Sequence, residues 1–359
     1  MAMRVSLRPA SESSFPPGST APPPLPLLDP SGPERVLGSE VCGFDLTQPV
    51  VPTAATLFGP RGAALAGPDG PLFVADTGHH RVLIWRNLPA RDYAPADLLI
   101  GQPDFGREGR NAKGDPSGAT FNVPTGVSAT ETILAVADPW NHRVLLWHGL
   151  PTTDHQPADV VLGQADFTSV LANRGGEPRA DTLNWCYGVT IAGSRLIVCD
   201  TGNRRVLIWN EIPQRHGTPA DLVLGQTDMT CRDENGGRGI DMHGMRWPHS
   251  ATLAADMLLV SDSGNNRIMV WNGVPNAHGA PCHHLLGQTD PSACEHNRAT
   301  YWPDAASLNM PYACIAVPEG VAVADTANSR LLGFAQADIT KSGAARRLSG
   351  QPDFHAKGD

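Results

Sequence analysis

At 359 residues the chain is long enough for one large core or two ordinary domains. Its formal net charge of −9 and its scattered basic residues argue against a general nucleic-acid binder, which needs a basic face to displace phosphate counterions. Only 18% of residues are charged while 37 are Gly and 33 are Pro, a balance that suits a turn-rich all-β protein, and no stretch approaches the length of a membrane-spanning helix.

Residues 1–34 read as an N-terminal tail. They are rich in Pro and Ser (Pro16, Pro17, Pro22, Pro23, Pro24, Pro26), and proline breaks both helices and central strands. The segment has no apolar run of signal-peptide type. The seven cysteines are irregularly spaced. Together these features predict reduced thiols in a cytoplasmic protein.

Residues 35–359 read as a single domain built from repeats. A short β-type run ending in Leu-Gly-Gln or a close relative recurs, with its glycine at 101, 163, 225, 287 and 350. A truncated copy stands at Val36-Leu37-Gly38-Ser39. The period is 62 or 63 residues. Within each unit the order is constant. A Pro-x-Gly-Val type segment (Pro124 to Val127) leads to a strand ending in Asp, such as Ile133 to Asp138. A tight turn of the type Thr201-Gly202-Asn203 follows. An Arg then opens a strand that closes on Trp, as in Arg205 to Trp209, or on Phe334 in the fifth unit. A Pro-bearing loop and an outer strand complete the unit.

Four short antiparallel strands per repeat, stacked around an axis, make a β-propeller. Five full units predict five blades. The extra strand at Arg35 to Gly38 leaves six as the alternative. The Asp series (Asp76, Asp138, Asp200, Asp262, Asp325) and the Arg series (Arg81, Arg143, Arg205, Arg267, Arg330) recur in every unit, so they serve what every blade needs. Asp ties turn donors and Arg pairs with it. The Trp series reads as blade-to-blade packing and the repeated Gln as a backbone tie between blades. Function belongs where blades differ, in the loops that converge on the axis.

The segment Val198-Cys199-Asp200-Thr201-Gly202-Asn203-Arg204-Arg205-Val206, with the Pro-x-Gly-Val segments, resembles the NHL-repeat family over roughly residues 36–354. The Leu-Gly-Gln-x-Asp-Phe tag looks like a bacterial subgroup of these repeats. The family includes protein-binding and RNA-binding modules and a zinc-dependent lyase acting on peptidyl-hydroxyglycine. In that lyase the residue after the repeat's Pro faces the central cavity, so the resemblance implies a mouth ringed by Arg61, Thr125, Tyr187, His249 and Tyr312. Only one of the five is His, whereas a catalytic zinc site takes three protein ligands.

The fourth unit departs most from its siblings. Met242, His243, Met245 and His249 lie within eight residues, and with Cys186 and Cys314 they form a candidate site for a soft transition metal. The plainer reading packs the Met and Trp side chains of that loop against the core and buries the thiols as small hydrophobes. No Cys-x-x-Cys pair, His-Glu-x-x-His motif or phosphate loop is present.

Two functional readings follow. In the first, the propeller is a non-enzymatic scaffold whose mouth and loops bind a protein partner, with an accessory role beside a metalloenzyme as one form of it. In the second, a metal-dependent lyase or hydrolase has its site in the central cavity. There Arg61 would bind an anionic small molecule, His249 would act as ligand or base, and Tyr187 or Tyr312 as acid or base. Neither a membrane nor a nucleic acid is an expected partner.

Overall fold

A computed structural model describes residues 23–38 and 51–358. Most of the Pro/Ser-rich tail, residues 1–22, lies outside the described residues. The short strand β1 (Leu25–Pro26) precedes five four-stranded antiparallel units. The first blade is β2 (Gly62–Leu65), β3 (Leu72–Asp76), β4 (Arg81–Trp85) and β5 (Leu98–Ile100). The second is β6 (Val127–Ala129), β7 (Ile133–Asp138), β8 (Arg143–His148) and β9 (Val160–Leu162). The third is β10 (Cys186–Ala192), β11 (Arg195–Asp200), β12 (Arg205–Trp209) and β13 (Leu222–Leu224). The fourth is β14 (Pro248–Ala254), β15 (Met257–Asp262), β16 (Arg267–Trp271) and β17 (His284–Leu286). The fifth is β18 (Pro311–Val317), β19 (Gly320–Asp325), β20 (Arg330–Ala335) and β21 (Arg347–Ser349), with the four-residue helix α1 (Gln336–Ile339) before its last strand. β1 pairs in parallel with β21 on the outer edge of the fifth blade. The protein is a five-bladed β-propeller.

The middle strands are apolar on both faces because each blade is sandwiched between neighbours. Every residue of β4, β12 and β16 is buried. Four seams are built alike. In the second, Ala135, Ala137, Val144 and Leu146 of one blade pack on Val189, Val198, Leu207 and Trp209 of the next. The marker glycine makes room at such a seam. Gly163 has φ +86°, and a Cβ there would lie 2.7 Å from Leu183 of the adjoining blade.

The repeated polar residues hold each blade to its loops. Asp200 Oδ1 accepts the Asn184 N–H, while Oδ2 accepts Asn203 Nδ2 and Arg205 Nε, all at 2.7 Å. Arg205 also donates to the carbonyls of Arg179, Thr182 and Met229, which clamps the loops on both sides of the blade. Both side chains are fully buried, so their mutual satisfaction is what makes the burial tolerable. The Trp indoles pack in the seams, and each donates to a carbonyl nine residues on, as Trp209 does to Thr218 at 2.9 Å. The Gln series behaves differently from the expectation. Gln102 Nε2 donates to His79, His80 and Gly109, joining its own blade's turn to the next loop rather than blade to blade.

The seam between the fifth and first blades is not packed like the other four. Among the described residues no core cluster joins these two blades. The outward face of the first blade (Val74, Leu83, Trp85) is covered instead by Leu37 and Leu57. On the fifth blade, Ala322, Ala324 and Leu331 are partly exposed and Ile315 is 58% exposed. The counterparts of Ala322, Ala324 and Leu331 in the third blade, Ile197, Cys199 and Val206, are fully buried.

Candidate functional site

The innermost strands begin on the face that carries the outer-to-inner loops and the tight turns. Residues from all five inner strands line an axial cavity of about 470 Å³, and Arg61, Thr125, Tyr187, His249 and Tyr312 are all among them. The five mouth residues therefore share one cavity.

They are not equivalent there. The Thr125 hydroxyl is buried and donates to the Tyr187 carbonyl at 2.8 Å, a bond across a blade seam that takes its side chain out of ligand contact. Three rings form a ladder. His249 stacks on Tyr312 with centroids 4.6 Å apart and planes at 11°, and Tyr187 lies 5.2 Å from His249 on the other side. Burial holds the His249 imidazole below its usual pKa, and the Arg61 guanidinium pushes the same way against a hydrogen bond to the Trp247 carbonyl. Burial raises the Tyr187 phenol, with Arg61 opposing. The ladder thus sets an imidazole that burial biases toward its uncharged form between two tyrosine rings, with one guanidinium at its edge. It suits stacking and hydrogen bonding more than proton transfer.

The metal-ligand candidates His243, His249, Cys186 and Cys314 are not brought together. The Cys186 thiol is buried against the Arg143 carbonyl, and burial, the largest influence, holds its pKa well above the usual thiol value. Cys314 borders the cavity but sits in the seam with the fourth blade, its thiol pushed up to about 12 by burial. His243 pairs with Asp241 at 3.3 Å in the preceding loop. Met245 is fully buried and Met242 packs beside it, the plainer reading of that loop. Among the described residues no group of three or more His, Cys, Asp or Glu is arranged to hold a metal ion. All six described cysteines are free.

Sequence reasoning missed the aromatic rim around the mouth. Trp185 and Trp247 each stand one residue before an inner strand and are 48% and 40% exposed. Trp140, in the second blade's tight turn, stacks on Trp185 with centroids 6.4 Å apart and planes at 25°. Arg110 lies over Trp140 at 5.2 Å and Arg246 over Trp247 at 5.0 Å. A second cavity of about 370 Å³ lies between Trp185 and Trp247, with Arg204 and Asn184 in its wall. The available signal was positional. These tryptophans occupy sites that are Gly, Ala, Val or Met in sibling repeats, apart from the buried Trp series that closes the third strand of the first four.

No family model matches the chain. Over 286 residues it is 34% identical to NHL repeat-containing protein 2 of Bos taurus, covering 69% of this chain and 34% of that protein. A 74-residue stretch is 40% identical to NHL repeat-containing protein 2 of Homo sapiens, covering 20% of this chain and 9% of that protein. The chain thus spans about one-third of the bovine relative's length and less of the human one. Among solved structures, a nidogen/laminin complex aligns over 82% of this chain and 86% of its own at 13% identity, with a TM-score of 0.42. The WD40 β-propeller domain of Doa1 aligns over 85% and 74% at 8% identity, with a TM-score of 0.43. The five hairpins that run from a buried Asp to an Arg five residues on, two of them reading Asp-x-Gly-Asn-x-Arg, the five observed blades and the two relatives agree: the chain belongs to the NHL-repeat β-propellers.

Proposed function

We propose that this propeller is a non-enzymatic scaffold that binds a protein partner on the face where the aromatic rim surrounds the cavity mouth. The observation that carries the reading is the row of exposed Trp140, Trp185 and Trp247 beside Arg110, Arg204 and Arg246. Trp and Arg supply most of the energy at protein interfaces, because they bury large area and hydrogen-bond at their edges. Rigid blades hold these side chains in place, which lowers the ordering cost of binding. The cavity beneath, with its ring ladder and Arg61, would seat one side chain of the partner or a small molecule.

The partly exposed thiols Cys231 and Cys294 lie in loops of the same face, which favours a metalloenzyme as the protein served. Free thiols also favour a cytoplasmic location. The enzymatic alternative has less support. The cavity offers one imidazole, two phenols and one guanidinium, and no pair of groups whose surroundings push their pKa values toward neutrality from both sides.

The test is a quantitative pull-down from the source lysate with the wild type and the double variant Trp185→Ala/Trp247→Ala. Both side chains are exposed, so the fold is expected to survive. Partners of the rim should fall at least tenfold with the variant. Equal retention of every specific protein would refute the rim as the binding site.

A further inference from the structure

We propose that the cavity between Trp185 and Trp247 takes one aromatic side chain of the protein partner, while Arg204 holds the carboxylate of an Asp or Glu beside it in the partner's chain. The inference rests on the aromatic rim being the partner-binding face, and it names the kind of segment that the rim holds.

The repeat itself shows what fills such a place. Trp140 and Gly202 are the second residues of the tight turns in the second and third blades. Trp185 and Trp247 each stand one residue before the inner strand that follows. Gly202 and Trp247 lie 62 residues after Trp140 and Trp185, one repeat on. In the second blade the turn carries its own ring, and Trp140 stacks on Trp185. In the third the turn carries no side chain, so a ring standing over Gly202 would meet Trp247 as Trp140 meets Trp185. The cavity lies at that position, with Asn184, Thr201, Gly202 and Arg204 between the two indoles. Other turn glycines are covered from within the chain: Gly78 lies under the Phe58 ring and Gly264 under the Arg246 stem.

The two indoles each have one face to offer. Trp185 has Trp140 against one side, and Trp247 has the Arg246 guanidinium over one side. Both rings border the cavity. With Arg110 over Trp140, the order along the rim is Arg110, Trp140, Trp185, cavity, Trp247, Arg246. A planar ring in the cavity completes this stack and gains an aromatic contact on each side. An aliphatic side chain fills the same space without that electrostatic match.

Charge selects the neighbour of the ring. Among the described residues Arg204 is the one charged group lining the cavity. Its side chain makes one hydrogen bond there, from Nη1 to the Arg232 carbonyl at 3.1 Å, and its Nε has no partner. Arginines of the flanking loops are already paired. Arg174 lies 2.6 Å from Asp181, while Arg232 and Arg246 each lie 3.4 Å from a glutamate, Glu177 and Glu234. An incoming carboxylate therefore finds its charge-assisted hydrogen bond at Arg204. Bases of a nucleic acid also stack on indoles, but a run of phosphates is poorly matched here. Each flanking loop, 164–185 and 226–247, carries one more acid than base.

The test uses the full chain with isotope-labelled tryptophan and three capped hexapeptides built on Gly and Ser. The first contains one Tyr followed by one Asp, the second has Leu in place of the Tyr, and the third has Asn in place of the Asp. Indole N–H signals of Trp185 and Trp247, assigned from the single alanine variants, are followed by NMR during titration. The first peptide should move both signals to saturation, and the other two should bind at least about fivefold more weakly. Arg204→Gln, a change at a partly exposed side chain, should weaken the first peptide by a similar factor and leave the third unchanged, a difference that misfolding does not produce. The inference falls if neither signal moves, if the leucine peptide binds as well as the first, or if Arg204→Gln affects the first and third alike. It also falls if a short oligouridylate binds these indoles more tightly than the first peptide. This failure is distinct from that of the rim. Lysate partners lost from Trp185→Ala/Trp247→Ala, with no response to the peptides, would keep the rim and remove this occupant, whereas full retention of the lysate partners would overturn both.

Discussion

Cys199 and Ala324 hold the same place in their blades, one residue before the buried aspartate. Cys199 is buried between the third and fourth blades, while Ala324 is partly exposed. The blades around them share their internal chemistry. Asp200 holds Arg205 and Asn203 at 2.7 Å, and Asp325 holds Arg330 and Asn328 at the same distance. What separates the two regions is a neighbour. The comparison teaches that a blade of this protein is made by its own polar network and covered by the apolar face of the next. One can be complete where the other is not.

The largest effect should come from the network and should not distinguish the two blades. Asp200→Ala and Asp325→Ala each leave a buried guanidinium without its carboxylate, at a cost of about 3–5 kcal/mol. Chemical denaturation of both variants checks this, and a near-neutral Asp325→Ala would mean that the fifth blade is not held as the others are.

The sequence made the network legible because it recurs. A residue present in all five units must serve all five, and the Asp, Arg and Trp series proved to be clamps and seam packing. The mouth was legible through the family resemblance, which implies that the residue after the repeat's Pro faces the cavity, and Tyr187 does so although Cys186 stands in place of that Pro. The open seam was harder to read. Its sign was the shrinkage of one face in the fifth unit, where Ala322 and Gly333 replace residues such as Ile197 and Ile208. The aromatic rim was hidden by expectation, because Trp in loops usually packs down and a single sequence does not tell an exposed ring from a buried one. The metal set did not come together because His243 stays in the loop ahead of β14 beside Asp241, whereas His249 lies on β14 in the axial cavity.

A second comparison separates the seams themselves. Ile208→Ala opens a void in a fully packed seam and should cost about 2–5 kcal/mol, whereas Leu331→Ala at a partly exposed site should cost under about 1 kcal/mol. Thermal melts of the pair give the ratio, and equal losses would mean that Leu331 is covered in solution.

A smaller effect follows from the hydroxyl that crosses each seam. Thr201→Val removes a buried hydrogen bond to Pro248 and should cost about 0.5–1.5 kcal/mol. Thr326→Val removes none across the seam and should be near neutral. A destabilising Thr326→Val would place a partner for it in the free protein.

The smallest effect concerns the rim. His142 Nδ1 accepts the Trp185 N–H at 3.0 Å, and burial depresses the His142 pKa to about 4. A depressed imidazole pKa stabilises the folded state above its ordinary value near 6.5, and that contribution declines as pH falls toward 4. Fluorescence of the Trp140–Trp185 pair should therefore shift between about pH 5 and 4. The equivalent residue in the fourth blade is Asn266, whose Oδ1 accepts the Met310 N–H at 2.7 Å. His142→Asn should keep the acceptor and remove the acid shift, and an unchanged shift would assign it to another group.

The most direct test of the two-region account uses the thiol that the protein already provides. Ala324→Cys places a cysteine at the position Cys199 holds in the packed seam. Maleimide labelling of the native protein, read by peptide mass spectrometry, should modify position 324 at least a hundredfold faster than Cys199. Equal protection of the two thiols would mean that the fifth blade is covered like the rest, and the open seam would not exist.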